Sequence, residues 1–313
     1  MLSKLARISP IWLAVLLLYG IAGLVSPAML SGGQILNVLQ VAAFLGLVAT
    51  GQTLALLVGG IDLSVGGVVT LTNIVSTSVM LGDDGNILLA VASCLGLGIL
   101  VGLVNGTLVA LLRVAPLIAT LAMNSILFGA ALVYTGGAPH GSAAPAFKLL
   151  GQGQLVGLPA SAVSWIVVAA VVAFALRRTT LGRWIYAVGA NPEAARLMGV
   201  PVAGTLVLAY VLSSVLAVLG GFLITSYIGN PSLGIGDQFL LSSVAAVVVG
   251  GTALTGGVGS VVASIGGAIF MTELVSFTNI ARISTGTQYI VQGVLIALSV
   301  VVYRALDQKR RLL

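Results

Sequence analysis

The polar stretch that stands out in this sequence is GGIDLSVGG at 59–67, where Asp62 and Ser64 lie between glycines at the junction of two apolar runs. Glycines at such a place permit a sharp break in the backbone or a close approach between helices. A carboxylate inside a bilayer costs roughly 2.5–3.5 kcal/mol on insertion scales, so Asp62 must be capped, paired or near an interface. We favour a cap at the cytoplasmic end of a span, where Asp62 accepts backbone N–H groups with help from Ser64, over a substrate-binding or proton-relay acid.

A second glycine-rich stretch, GGTALTGGVGS at 250–260, has the same character but carries hydroxyls and no charge. It predicts another interrupted helix or tight turn. The stretch lacks the Gly-Lys-Ser/Thr ending of a phosphate-binding loop, which argues against ATP binding by this chain. Ala253 replaces Asp62, so a symmetric pair of ion sites is not expected. The pathway candidates from both stretches are Gly59, Gly60, Asp62, Ser64, Gly66, Gly250, Gly251, Thr255, Gly256 and Gly257.

Neutral amides recur inside the apolar runs. They suit a path for a polyhydroxylated solute because they donate and accept hydrogen bonds without selecting for charge. They suit hydrogen bonding between helices equally well. As a set they favour an uncharged polar substrate over an ion, and the candidates for the substrate path are Gln52, Asn73, Asn105, Asn124, Gln288 and Gln292.

Groups with catalytic or metal-binding character are sparse. His140 is the only histidine, and Cys94, the only cysteine, lies in an apolar run that is typical of a buried thiol. Glu273, late in an apolar run, is expected to approach either Arg282 or the outer interface, and we favour an interfacial acid. The sequence contains no Ser-His-Asp, His-Glu-x-x-His or paired-acid pattern. We therefore expect no catalytic residue, no metal site and no cofactor bound by this chain.

The elements that must position these residues are membrane helices. Of 313 residues, 59% are hydrophobic and 6% are charged, whereas a soluble domain needs about a quarter of its residues charged. The sequence therefore predicts an all-α polytopic membrane protein, with an uncleaved first helix although its basic start resembles a signal peptide. Runs of about 20 apolar residues predict ten spans, near 11–29, 35–58, 63–81, 87–112, 116–135, 162–176, 203–227, 238–252, 258–278 and 286–303.

The net charge of +6 indicates orientation rather than a nucleic-acid partner. With a cytoplasmic N-terminus, alternation of the spans leaves only Lys148 and Arg282 outside. This asymmetry is the positive-inside pattern and places both termini in the cytoplasm. The basic residues predicted inside are Lys4, Arg7, Arg113, Arg177, Arg178, Arg183, Arg196, Arg304, Lys309, Arg310 and Arg311.

The chain also repeats itself at an offset of 191 residues, approximately 35–115 over 226–306. This offset sets Gly59 over Gly250 and Arg113 over Arg304. Six predicted spans separate the copies, so both would cross the membrane in the same direction. Parallel repeats are one way to build a transport path between related halves.

One short segment, GANPEAARLMGV at 189–200, is too polar for a span. Asn191 can cap a helix, and Pro192 suits the first helical position. Glu193 lies near the positive end of the helix dipole, and Gly199 offers a left-handed stop. The pattern predicts a helix of roughly two turns on the cytoplasmic face, which is marginal unless something packs against it.

The sequence GRWIYAVGANPEAARLMGV resembles the cytoplasmic-loop motif of inner-membrane permeases of ABC importers, in the ribose and simple-sugar branch. The two glycine stretches match two further signatures of that branch, and the resemblance runs from about residue 35 to 303. It implies that the segment at 190–199 is a coupling helix that docks on a separate cytoplasmic ATPase. Its residues are Asn191, Pro192, Glu193, Ala194, Ala195, Arg196, Leu197 and Gly199, to which we add Met198.

The resemblance further implies a single transmembrane permease domain at 1–313 that imports a simple sugar by alternating access in a bacterial inner membrane. A periplasmic sugar-binding protein would deliver the solute to outer segments near 136–160 and 228–237. ATP and Mg²⁺ would be used by the ATPase partner, and a second permease subunit, like or unlike, would complete the path in the lipid bilayer. Within the docking helix, Leu197 and Met198 would be apolar anchors, with Glu193 and Arg196 at the rim.

Two other functions fit the sequence. One is a permease for another small solute, a nucleoside or a branched-chain amino acid. The other is a secondary transporter driven by ions through Asp62 or Glu273. The chain also departs from the family pattern, because Ser242 and Ser243 stand where many members carry an acidic residue before the second glycine stretch.

Overall fold

The computed structural model describes residues 10–284, 286–288, 290–294 and 297–298. Within these residues the secondary structure is mainly α-helical, so the predicted all-α class is confirmed. A short antiparallel hairpin is also present, with β1 (Gln154–Leu155) paired to β2 (Leu158–Pro159). Short 3₁₀ turns also occur at Pro27–Leu30 and Asp84–Asn86.

The described helices are α1 (Pro10–Val25), α2 (Gly32–Leu57), α3 (Val65–Met80), α4 (Ile87–Ala110), α5 (Pro116–Thr135), α6 (Pro145–Gln152), α7 (Ala160–Arg178), α8 (Thr180–Ala190), α9 (Pro192–Leu197), α10 (Val202–Ile228), α11 (Asp237–Val249) and α12 (Val261–Ile280). Nine of the described helices correspond to predicted apolar runs, whereas α6, α8 and α9 lie between those runs.

Six of these helices are long and apolar enough to cross a membrane, namely α2, α4, α5, α7, α10 and α12. The apolar helices α1, α3 and α11 are shorter, with 16, 16 and 13 residues. The chain is thus a membrane protein of many apolar helices. The last predicted span, 286–303, lies partly outside the described residues. Six of the basic residues lie wholly outside them: Lys4, Arg7, Arg304, Lys309, Arg310 and Arg311.

The central helix of the described bundle is α10, which packs along α4, α2 and α3. Helix α4 approaches it through glycines spaced four residues apart, a spacing that places them on one face. A Cβ at Gly102 would overlap the Cα of Val211, and one at Gly106 would lie 2.6 Å from the Cα of Val207. The two helices therefore meet backbone to backbone at this crossing.

Both predicted interruptions are present, as non-helical links at 58–64 and 250–260. Gly59 and Gly251, with φ of 81° and 99°, follow the ends of α2 and α11 in the same manner. The amide of Gly60 bonds to the carbonyl of Ala55, as the amide of Thr252 bonds to that of Val247. The residues of the second bond lie 192 positions after those of the first. The sequence alignment of the two glycine stretches uses an offset of 191, so the two ends match with a shift of one residue. The duplication itself stays a prediction.

The α4–α10 crossing predicts the effect of one added methyl group. Gly102→Ala should lower the melting temperature of the protein in detergent, since overpacking a tight contact costs about 1–3 kcal/mol. The matched control is Gly96→Ala on the same helix, where a Cβ meets nothing within 4 Å. The control should melt at or slightly above the parent temperature because alanine favours helix. Equal melting temperatures for the two variants would contradict the proposed close crossing.

Candidate functional site

The short polar segment forms the predicted capped helix, α9. Asn191 is its N-cap and accepts a hydrogen bond from the amide of Ala194 at 3.0 Å, and Pro192 occupies the first turn. Gly199 has a φ of 80° and ends the segment in the left-handed conformation. The local signals for the start and stop of this helix are thus confirmed.

The helix is shorter than the predicted range of 190–199. Asn191 has an extended backbone, with φ −162° and ψ 105°, so no helix can run through it. Ala190 instead ends the preceding helix α8, which the sequence reasoning did not identify. The motif is therefore two helices with a break between them, because the extended backbone of Asn191 ends α8 while its side chain caps α9.

The exposed side of α9 is the feature most typical of a docking surface. Ala195 is the buried residue of this helix. The side chains of Leu197 and Met198 are 90% and 84% exposed. Glu193 and Arg196 are exposed beside them. An exposed apolar pair on so short a helix indicates a surface that another molecule covers.

A junction of three glycine-containing segments lies at the base of α9. The amide of Gly257 donates to the carbonyl of Leu57, at the end of α2, at 2.9 Å. A Cβ at Gly189 would clash with that same carbonyl, and one at Gly256 would lie 2.9 Å from the amide nitrogen of Gly59. We call this contact of the 58–64 link, the 250–260 link and the end of α8 the glycine junction. It brings the two glycine stretches together with the residues directly before α9.

Helix α8 is tied to the junction by a side chain as well. The phenol of Tyr186 donates to the carbonyl of Gly259 at 2.9 Å. Burial raises the pKa of Tyr186, with Arg177 acting in the opposite direction. The phenol therefore stays protonated and remains a donor to the second link.

Asp62 is fully buried in the 58–64 link, and it accepts the backbone and hydroxyl hydrogen bonds of Ser64 that the predicted cap requires. Its Oδ1 accepts the backbone amide of Ser64 at 3.0 Å and the Ser64 hydroxyl. Its Oδ2 accepts the hydroxyl of Ser213 on α10 at 2.8 Å. The carboxylate thus joins the link to the central helix, and Ser213 is a partner that the sequence reasoning missed.

Three amide candidates surround this link and hold it in place. With the side-chain amide of Gln52 oriented so that its nitrogen and its oxygen both have partners, the nitrogen donates to the backbone carbonyl of Asp62 at 2.9 Å. The oxygen accepts the backbone amide of Asp62 at 3.2 Å. Asn105 donates to the Ser64 hydroxyl at 2.9 Å. Asn124 on α5 accepts the amide of Gly67 at 2.7 Å, and so caps α3 from another helix. These contacts match the helix-to-helix alternative for the amides.

Asn73 stands apart from that group, near the end of α10. Its side chain donates to Thr225 at 3.1 Å and to the carbonyl of Asn230 at 3.2 Å, and accepts the amide of Ser232 at 2.8 Å. Asn73 therefore fastens the segment after α10 to α3. Its contacts are those of a structural residue.

The two remaining amide candidates, Gln288 and Gln292, line a cavity of about 360 Å³ between α2, α10, α11, α12 and the residues that follow α12. The cavity lies toward the end of the bundle opposite α9. It also contains Gln238, Ser242 and Thr272, which the sequence reasoning did not propose as path residues. The substrate-path candidates thus divide between this cavity and the interior of the bundle.

The other titratable groups form no reactive cluster. Glu273 was expected at the outer interface, and the structure places it fully buried, because its face of α12 turns into the protein where α12 packs on α1. His140 is exposed. In the described ranges no group of three or more His, Cys, Asp or Glu residues could hold a metal ion.

A bundle of apolar helices with two glycine-rich interruptions, a cavity lined partly by amides and hydroxyls, and an exposed capped helix is typical of a membrane transport subunit. The family described as branched-chain amino acid transport system / permease component matches residues 34–300. The chain therefore belongs to this family of permease components, and it is a permease rather than an enzyme.

Curated relatives cover nearly the whole chain. The ribose import permease protein RbsC of Escherichia coli K12 is 37% identical over 294 residues, 93% of this chain and 91% of the relative. The RbsC of Bacillus subtilis is 33% identical, covering 96% and 92%. The L-arabinose transport system permease protein AraH of E. coli K12 is 36% identical, covering 85% and 80%. No solved structure matches the chain.

The contacts of Asp62 predict different outcomes for two substitutions. Asp62→Asn keeps an oxygen for Ser64, and the Ser213 hydroxyl can rotate to accept from the new amide, so folding and much of the transport should persist. Asp62→Leu leaves buried donors without an acceptor, which costs about 1–3 kcal/mol for each group. Its folded yield in the membrane and its melting temperature in detergent should both fall.

Transport by the Asp62→Asn variant also separates the two roles considered for this carboxylate. Complete loss of transport, with parental yield and melting temperature, would contradict the structural role and favour an essential charge.

Proposed function

We propose that this chain is the membrane permease subunit of an ATP-driven importer and forms the path for a simple sugar, such as ribose or a related monosaccharide. The observation that carries the proposal is the capped helix α9, which presents Leu197 and Met198 to solvent at the glycine junction. The solute class is supported by the ribose and arabinose permeases among the relatives. A branched-chain amino acid, the solute in the family description, is the alternative that a transport assay separates.

The docking helix would fit a groove on a cytoplasmic ATPase that binds ATP and Mg²⁺. Leu197 and Met198 would enter the groove, where burying each apolar side chain contributes about 1.5–3 kcal/mol. Glu193 and Arg196, of opposite charge at the rim, would set the register of the two surfaces. Ala195, buried against the bundle, fixes α9 on the permease side.

Movement of α9 has a short route into the bundle. Gly189 and Ala190 contact the glycine junction directly, and α10 begins at Val202, five residues after α9 ends. A displacement of α9 therefore acts on both broken helices and on the central helix, which is what alternating access requires. On this proposal the pathway candidates of the two glycine stretches are moving parts rather than solute ligands.

The distribution of charge supports the orientation. Of the described basic residues, only Lys148 and Arg282 lie toward the end opposite α9. The others lie at the α9 end, which we assign to the cytoplasm of a bacterial inner membrane; they are Arg113, Arg177, Arg178, Arg183 and Arg196. We retain ten crossings and cytoplasmic termini, with α1, α3 and α11 as short crossings or half-crossings.

Further partners follow from the same arrangement. The segments at 136–160 and 228–237 pack together at the opposite end, where the amide of Ala143 bonds to the carbonyl of Gly229 at 2.8 Å. We propose them as the surface for a periplasmic sugar-binding protein. A second permease subunit, identical or homologous, would complete the path, and lipid would cover the remaining apolar faces.

The docking role predicts the behaviour of a double variant. Leu197→Ala with Met198→Ala should reduce co-purification of the ATPase with the permease and lower sugar uptake at least about tenfold, since two buried side chains are lost. Glu193→Ala with Arg196→Ala should reduce uptake more modestly. Immunoblots of membranes check that each variant is inserted at the parental level.

The matched control is Leu16→Ala with Leu17→Ala, an adjacent pair on α1 that is 69% and 59% exposed. This pair should leave ATPase association and uptake at parental values. A Leu197 and Met198 variant that binds the ATPase and transports as the parent does would refute the docking role.

A further inference from the structure

The cavity opposite α9 exists because α11 is too short to fill the membrane. Its 13 residues span about 20 Å, against a hydrocarbon core of about 30 Å. Its start lies beside α3, where the amide of Gly236 bonds to the hydroxyl of Thr70 at 3.0 Å. The space between this start and the far ends of α10 and α12 is therefore left open, and the first turns of α11 line it.

The polar lining of this cavity is neutral. The amides of Gln238, Gln288 and Gln292 and the hydroxyls of Ser242 and Thr272 face it, and no charged residue is among the described lining residues. Amides and hydroxyls both donate and accept hydrogen bonds, as the hydroxyls of a sugar do. A charged ligand would find no counter-charge here.

The rest of the lining is apolar and partly aromatic. Phe44 and Tyr227 contact each other with ring centroids 5.3 Å apart, and both line the cavity together with Phe239. Sites for small molecules combine such surfaces with a few placed polar groups, in volumes of roughly 300–1,000 Å³. A cavity of about 360 Å³ falls in that range.

The polar side chains in the lining make lipid a poor occupant of this cavity. The Ser242 hydroxyl donates to the carbonyl of Gln238, and the Gln238 amide donates to that of Ile235 at 3.3 Å. The hydroxyl and the amide oxygen can still accept hydrogen bonds, which hydrocarbon cannot supply, so acyl chains would be costly neighbours for them. Water or a polar solute satisfies them. The cavity is thus more compatible with an aqueous recess than with a groove for lipid.

We infer that this cavity is a binding site for a neutral monosaccharide within the permease, with Gln238, Ser242 and Thr272 joining Gln288 and Gln292 as its polar contacts. The inference rests on the proposed import function and specifies where in the chain the solute is held. The ring faces of Phe44 and Phe239 contact the apolar C–H surface of the sugar, and the five polar side chains contact its hydroxyls.

Thiol labelling tests the site directly, because the single native cysteine, Cys94, is fully buried. Ser242→Cys in the intact importer should react with a hydrophilic, membrane-impermeant methanethiosulfonate, and D-ribose or L-arabinose with the binding protein should slow the reaction. The control is Leu241→Cys, its neighbour, which is 64% exposed but outside the cavity lining. The control should react slowly and show no protection.

A transport measurement separates this inference from the proposed function. In proteoliposomes with the complete importer, Gln238→Ala with Gln292→Ala should lower the sugar moved per ATP hydrolysed by about threefold to tenfold, as expected for lost neutral hydrogen bonds. The stimulated ATPase rate should stay within twofold of the parent, because docking at α9 is intact.

The outcomes are distinct. Labelling of Ser242→Cys no faster than that of Leu241→Cys, or an unchanged ratio of sugar to ATP, would overturn the cavity as a sugar site while leaving the import function standing. Protection by L-leucine instead of the sugars would overturn the assigned ligand class. A parent complex whose ATPase neither associates with the permease nor responds to the binding protein would instead refute the proposed function.

Discussion

The arrangement of this protein depends on one backbone contact, the glycine junction. Three segments that are far apart in sequence come so close that a side chain on Gly189 would occupy the position of the Leu57 carbonyl. The amide of Gly257 donates to that carbonyl. The φ of Gly257 is 72°, a left-handed conformation that favours glycine at this position. A helix of less than two turns such as α9 is unstable in isolation, and this contact at its start, together with the burial of Ala195, holds it against the bundle.

Around the junction, burial forces polar groups to pair. Asp62 is fully buried, and its two carboxylate oxygens take hydrogen bonds from Ser64 and Ser213. The same free-energy cost that makes a lone acid improbable in a membrane makes these partners necessary. The result is a polar connection between the first glycine link and the central helix α10, which follows α9 in the chain. A movement of α9 would therefore reach this connection through the glycine junction and through α10.

The sequence predicted those features of the fold that depend on a few neighbouring residues. The cap of Asn191, the Pro192 start and the Gly199 stop all follow from rules that act over a few residues, and so do the interruptions at both glycine stretches. The full burial of Asp62 and of Glu273 was not predictable in this way, because each depends on which helices lie across from it. Ser213 is one hydroxyl among many in apolar helices, and no spacing links it to residue 62. The cavity is equally non-local, since it arises from the short length of α11 relative to its neighbours.

The exposure of α9 has a consequence for how such systems diversify. The outward side chains at 193, 196, 197 and 198 are exposed to solvent, so substitutions there change the surface without disturbing the interior packing of the bundle. On the proposed docking role, recognition of a particular ATPase and the architecture of the transport path would be encoded in separate residues. The pairing of permease and ATPase could then change over evolutionary time without a change in the bundle, and residues 193–198 would be the smallest segment whose exchange alters it.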